Sequence, residues 1–231
     1  MSNYLGGRLD ARSMIISVLA TAMALSLLCS LSMQYGHADV PIAASAEKIK
    51  PLQVDQNAPR FVVKTVAGEP FAFEPRELER PAIIITFRGG WCPYCNMHLS
   101  DLRKVMPEIR QLGFDILFLS GDRPELLYKS LRSDTQEAIA DLDYRIYSDA
   151  DAQAAIALGI AFKTAERTIQ RRHEKGEDIA GSSMLRHGIL PVPAVFMIDT
   201  DGKIVYTFIE ADYKVRLPAE DLLEVARNVV Q

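Results

Sequence analysis

Ala82-Ile83-Ile84-Ile85-Thr86-Phe87 runs without a break into Arg88-Gly89-Gly90-Trp91-Cys92-Pro93-Tyr94-Cys95. The first six residues are apolar and β-branched almost throughout, which is how a strand covered on both faces of a parallel sheet reads. Downstream, Cys95, Leu99, Leu102, Met106, Ile109 and Leu112 recur at steps of three and four. That spacing predicts a helix over 95–112, with Gly113 where a left-handed C-terminal cap belongs. Pro107 falls inside the stripe and should kink or shorten the helix. Two cysteines separated by two residues, between a buried strand and a helix, have the context in which this spacing signals redox chemistry.

At the start of a helix the unpaired N–H groups and the macrodipole favour negative charge, so Cys92 is expected to be the more acidic thiol and the nucleophile. Cys95 lies one turn further in, on the inward face, close enough to close a short disulfide, and is the expected resolving thiol. Pro93 occupies the first turn, where a missing N–H costs nothing. Trp91, the sole tryptophan, reads either as a wall of the site that contacts substrate or as a core aromatic at the strand end. Arg88 either adds positive potential that favours the thiolate or is an exposed residue at the end of the strand.

Further out, 61–66 and 71–73 flank turn residues and read as an edge hairpin. Asp115–Ser120 is a second buried strand, 124–131 a helix, 144–147 a short strand and 152–158 a helix. A hairpin over 194–199 and 203–209, joined through Thr200, Asp201 and Gly202, precedes a closing helix over 218–230. Strands alternating with helices predict an α/β domain with a mixed or parallel sheet covered on both faces. The polar stretch 163–188 interrupts the alternation. Its Arg167, Arg171, Arg172 and His173 read as a solvated face, and only secondarily as a docking patch.

The N-terminal segment departs from the rest. Arg8 and Arg12 precede an uncharged run over 14–33, and Gly36, His37 and Ala38 supply small residues for cleavage after Ala38. Residues 1–38 are therefore read as a signal peptide, with an uncleaved membrane anchor as the other reading, because the run is long enough to span a bilayer. Leu28 before Cys29 is too bulky for a lipoprotein site. Residues 39–59, polar and carrying Pro41, Pro51 and Pro59, read as a tether, and 60–231 as the domain. The expected location is exported: periplasmic, or anchored and facing the periplasm.

The chain has 231 residues, 48% hydrophobic and 24% charged, which suffices for one sizeable core and excludes a chain disordered throughout. With 26 basic against 30 acidic residues the net charge is -4, so no basic field exists for nucleic acid. Without residues 1–38, 24 basic and 29 acidic side chains remain, a net charge of -5. Only Cys92 and Cys95 then remain of the cysteines, so no structural disulfide framework is expected.

The segment Phe87 to Cys95 resembles the active-site segment of the peroxiredoxin-like branch of the alkyl hydroperoxide reductase and thiol-specific antioxidant (AhpC/TSA) family. A second block agrees: Leu190-Pro191-Val192-Pro193-Ala194-Val195-Phe196-Met197-Ile198-Asp199, followed by Asp201-Gly202 and Asp212-Tyr213. The resemblance spans about 57–230. It implies a thioredoxin-like fold in which the 61–73 hairpin is an N-terminal extension and the polar insert precedes the strand that begins at a cis proline. Pro193 matches that proline, so Val192 would present its backbone to substrate; Pro191 is the competing position. A cis bond there would turn the preceding peptide outward, free to pair with an extended partner. The chain departs from true peroxiredoxins, which place a proline seven residues and a hydroxyl residue three residues before the attacking cysteine. Here those positions hold Ile85 and Gly89.

Three chemistries follow. The leading one is thiol-disulfide exchange, with Cys92 attacking and Cys95 resolving, partners that are protein or small-molecule thiols and disulfides, and no cofactor. The second is a thiol-dependent peroxidase with Cys92 oxidised to a sulfenic acid. The third is a copper chaperone in which His173 or His187 joins the cysteines. Asn96 stands where haem attachment needs a histidine, and His98 reads as a residue of the helix surface. No metal is assigned, and membrane contact is expected only through the N-terminal segment.

Overall fold

A computed structural model describes residues 42–142, 144–175 and 182–230. The leader read over 1–38, its cleavage after Ala38 and the first residues of the tether lie outside the described residues. Nine strands and seven helices are described: β1 (Phe61–Lys64), β2 (Pro70–Phe73), β3 (Ala82–Phe87), α1 (Pro93–Leu102), α2 (Met106–Gln111), β4 (Asp115–Ser120), α3 (Ser133–Ile139), β5 (Ile146–Ser148), α4 (Gln153–Ala157), β6 (Ala161–Lys163), α5 (Glu166–Glu174), α6 (Ser183–His187), β7 (Ile189–Pro191), β8 (Ala194–Ile198), β9 (Ile204–Ile209) and α7 (Ala219–Val229).

Seven strands form one mixed sheet in the order β2-β1-β5-β4-β3-β8-β9. The strand quoted first is its centre: β3 pairs in parallel with β4 and antiparallel with β8, and all six of its residues are buried. Because side chains alternate across a strand, Ile83, Ile85 and Phe87 enter one core with Leu99, Leu102, Met106 and Leu222. Ala82 and Ile84 enter the other, with Phe61, Ala154, Leu190 and Phe196. Helices α1, α2 and α7 close the first face and α4 helps close the second. The chain has the thioredoxin-like α/β architecture that the resemblance implies.

Several details differ from the sequence reading. The helix expected over 95–112 is two helices, α1 and α2, with Pro107 in the first turn of α2. There its missing N–H is harmless, whereas in a continuous helix its ring would clash with the carbonyl four residues back. Gly113, at φ +94°, caps α2 as expected. The 124–131 helix reduces to a 3-10 turn over Pro124–Leu126, and the helical turn comes later, in α3. The polar insert is flanked by an unforeseen two-stranded ladder, β6 against β7, and carries α5 and α6; residues 176–181 lie outside the described residues.

The stretch read as a tether is, over 42–59, laid against the domain. Ala43 and Ala161 share a backbone hydrogen bond (3.2 Å), as do Leu52 and Leu158 (3.1 Å) and Asp55 and Ile204 (2.9 Å). Isolated backbone bonds of this kind leave no hydrophobic period in the sequence, which explains why the segment reads as a linker. Among the described residues no helix is long and apolar enough to cross a membrane.

Candidate active site

Cys92 is the N-cap of α1 and Cys95 lies in its first turn, at the carboxyl end of β3. The two come within 2.7 Å of each other, and both are buried, 2% and 1% exposed. Each is a free thiol. The pairing expected from their spacing is therefore present.

The preceding loop is held by two polar side chains to which the sequence reading gave no role in the site. Oδ2 of Asp122, just beyond β4, accepts the Gly90 N–H at 2.7 Å and the Ser130 hydroxyl at 2.8 Å. Asn96 Nδ2 donates to the carbonyls of Gly90 (2.6 Å) and Cys92 (3.0 Å), while its Oδ1 accepts the Arg132 N–H at 2.9 Å. The fit is tight: a Cβ on Gly90 would lie 2.2 Å from Ser130 Oγ and 2.4 Å from the Ser130 carbonyl carbon. Parallel pairing of β3 with β4 brings the residues that follow both strands together, and an acidic residue after the second buried strand was the available signal for Asp122.

The charge on the pair comes from elsewhere. Arg216 Nη2 donates to Cys95 Sγ at 3.5 Å. Arg88, only 8% exposed, packs its guanidinium 4.6 Å from the Tyr213 ring and 5.6 Å from that of Phe162. It is buried rather than exposed at the strand end. Burial pulls Arg88 below its ordinary pKa, and negative charge on either cysteine pulls it back up.

Burial pushes Cys95 up, but the hydrogen bond from Cys92 and the Arg216 guanidinium outweigh it and bring the thiol down to about 6. Cys92 is pushed up, first because it donates that hydrogen bond to Cys95 and then by burial. Within the pair the Arg216 contact favours the charge on Cys95, while the helix start favours it on Cys92. The N-cap side chain makes no capping hydrogen bond, and the decisive cation lies 121 residues from Cys95 in sequence, where no local pattern points to it.

His98, read as a surface residue of the helix, is instead 7% exposed. Its Nε2 lies 3.1 Å from the Leu217 carbonyl, tying α1 to the segment that carries Arg216. Burial, reinforced by Arg216, holds the imidazole down at about 4, so it is neutral near pH 7 and donates from Nε2. Tyr94 meets Tyr213 edge to face at 5.6 Å. Trp91 is half-buried, packs against both cores and lies beneath the Arg172 guanidinium at 4.5 Å. One member of the charge run read as a solvated face thus reaches the loop of the cysteine pair.

The second block behaves differently from the expectation. All peptide bonds among the described residues are trans, Val192–Pro193 included, and Val192 has no free backbone to offer. Its N–H donates to the Ile160 carbonyl at 3.1 Å, and its carbonyl accepts the Thr86 hydroxyl at 3.0 Å. The same Thr86 Oγ1 accepts the Ala194 N–H at 3.1 Å, and the Pro193 carbonyl accepts the Glu210 N–H at 3.1 Å. Thr86 bridges the peptides on either side of Pro193, so the polar groups a substrate would need are already used. His187 Nε2 lies 2.9 Å from the Ala150 carbonyl and His173 is on α5. Among the described residues no three His, Cys, Asp or Glu side chains gather to hold a metal.

Residues 54–207 match the AhpC/TSA family. The chain is 25% identical over 172 residues to the thiol-disulfide oxidoreductase ResA of Bacillus thuringiensis (strain Al Hakam), covering 74% of this chain and 78% of that one. It is 25% identical over 160 residues to the peroxiredoxin Bcp of Escherichia coli, covering 69% and 87%. Among solved structures, a peroxiredoxin-like protein from Aquifex aeolicus superposes with a TM-score of 0.58 at 18% identity, over 78% of this chain and 89% of that one.

Proposed function

The chain belongs to the AhpC/TSA family and is a thiol-based oxidoreductase, and from that premise we propose that Cys92 and Cys95 exchange electrons with disulfides. The observation that carries this reading is the pair itself: two buried thiols within 2.7 Å, with the Arg216 guanidinium on the inner one. Cys92 precedes the helix and is the attacking sulfur; Cys95, enclosed by the helix and Arg216, acts first as its base and then as the resolving thiol. As Cys92 attacks a substrate RS–SR, its proton moves to Cys95 and RS⁻ departs, leaving a mixed disulfide. Cys95 hands that proton to the departing RS⁻ and attacks the Cys92 sulfur, expelling the second RS⁻. The substrate S–S bond breaks, the Cys92–Cys95 bond forms, and two electrons pass to the substrate, which leaves as one thiol and one thiolate. The reverse sequence oxidises a dithiol.

Arg88 and Arg216 together supply the positive potential that holds the thiolate in a buried site. Trp91 serves as the wall beside Cys92. The uncharged run over 14–33 and the small residues before Asp39 support export, with the domain working in the periplasm, either free or anchored. Similarity to the peroxiredoxin Bcp favours a second reading, in which a peroxide is the oxidant of Cys92. Gly89, where a peroxide-orienting hydroxyl would stand, speaks for disulfide exchange.

Substitution of each cysteine tests the reading. Cys92→Ser should abolish disulfide turnover, and Cys95→Ser should trap a mixed disulfide on Cys92, visible as the added mass of one substrate half. Turnover by Cys92→Ser at the wild-type rate would overturn the assignment. Oxidation of Cys92 by hydrogen peroxide far faster than that of a free thiol would instead establish the peroxidase reading.

A further inference from the structure

A groove of about 690 Å³ runs along α1 beside the cysteine pair, between that helix, the start of α3 and the segment before α7. Its size suits a small peptide or a compact organic molecule. Tyr94 and Met97, the latter 64% exposed, give it an apolar side, and Arg216, which also reaches Cys95, lines it too.

Its charge is unlike that of the rest of the chain. Five cationic side chains line it and two carboxylates do. Both carboxylates are already engaged: Asp101 with Lys104 at 2.5 Å and Asp134 with Arg132 at 2.9 Å. The remaining three cations, Arg103, Lys214 and Arg216, have no carboxylate partner among the described residues. The neighbouring Asp212 takes the Lys214 backbone N–H at 3.0 Å. A protein of net charge -4 therefore presents a locally positive groove that shares Arg216 with its redox pair. Such placement raises the local concentration of anions of matching size.

We propose that the groove, through the charge of Arg103 and Lys214, favours small carboxylate-bearing disulfides as substrates of the redox pair. This rests on the disulfide-exchange reading and adds the substrate class. The redox step is the one written above, with R carrying the carboxylate.

The test uses three small disulfides that differ in charge: dithiodiglycolate (anionic), bis(hydroxyethyl) disulfide (neutral) and cystamine (cationic). Each rate of reduction by the reduced protein is divided by the rate with free dithiothreitol, which removes intrinsic reactivity. The anionic disulfide should be favoured over the neutral one by about tenfold at low ionic strength. The preference should fade as salt is raised, and the cationic disulfide should be the slowest. The double substitution Arg103→Glu with Lys214→Glu should lower the anionic-to-neutral ratio by about tenfold. The milder Arg103→Gln with Lys214→Gln should lower it less, and the salt titration of the unaltered protein needs no variant at all. Reduction of the neutral disulfide with no anionic preference at low salt overturns this inference and leaves disulfide exchange standing. Failure to reduce any of the three overturns both.

Discussion

Two regions grip the cysteine pair in different ways. On one side, the loop over 89–91 is fixed by buried hydrogen bonds: Asp122 and Asn96 take up its backbone groups, and Gly90 leaves no room for a methyl group. On the other, the segment from Tyr213 to Leu217 contributes charge and is anchored by side chains: Leu217 in the core and against His98, Tyr213 against Tyr94 and Arg88. The first region decides where the sulfur atoms are; the second brings Arg216, one of the groups that favour charge on Cys95. Substitutions in the two regions should therefore fail differently, one through stability and the other through titration.

The largest effect is expected at the loop. Gly90→Ala places a Cβ against Ser130 Oγ and, at 2.4 and 2.5 Å, against backbone atoms of Ser130 and Leu131 that no side-chain rotation moves, and should cost about 3 kcal/mol in a urea unfolding experiment. If the variant unfolds at the wild-type midpoint, the loop is looser than described.

A comparable effect on the charged side appears only in acid. The folded-state imidazole of His98 is held down at about 4 against 6.5 for an ordinary histidine. Between those values the unfolded chain binds a proton that the folded chain does not, so stability falls as pH falls through the window, by up to about 3 kcal/mol. His98→Gln removes that term and keeps a donor for Leu217. Asp149, pushed up to about 7 by burial, titrates with the opposite sign in both proteins. The diagnostic quantity is thus the difference between wild type and His98→Gln, which should change with pH between about 4 and 6.5 and become constant above. Parallel curves from pH 4 to 7 would mean that His98 titrates normally.

The smallest expected change in folding, with a large one in chemistry, belongs to Arg216→Gln. Loss of the guanidinium should let the Cys95 thiol rise from about 6 toward the ordinary value near about 8.5, while the unfolding midpoint moves little. At pH 7 the thiolate population would fall several-fold, read from thiolate absorbance or the pH profile of alkylation. An unchanged titration would show that Arg88 and the helix suffice.

These two regions also differ in how far they could be read from the sequence. The central strand, the helix it enters, Cys92 and Cys95 were legible because each is a local pattern: a buried run, a stripe at helical spacing, a pair two residues apart. The break before Pro107 was legible for the same reason. Arg216 was not, because it is brought to Cys95 by the closing of the sheet rather than by sequence proximity, and a lone arginine before a helix carries no mark of its role. His98 was misread because it falls outside the apolar stripe of Cys95, Leu99 and Leu102, while the segment that buries it arrives from the far end of the chain. At Pro193 the local pattern was read correctly as a strand start, but the peptide groups around it are consumed by Thr86 and Ile160, a matter of register between distant strands.

The strap at 53–57 has a consequence for how the protein behaves in company. Strand β9 is the last in the sheet, and its outer side would offer backbone groups to any passing extended chain. Ile204, its first residue, has that demand met from within: its N–H reaches the Gln56 carbonyl at 2.9 Å and its carbonyl accepts from Asp55 at 2.9 Å, with Asn57 bridged to Lys203. A border that would otherwise recruit neighbours into fibres is stitched shut at one corner, so trimming the chain to residue 60 would be expected to favour self-association.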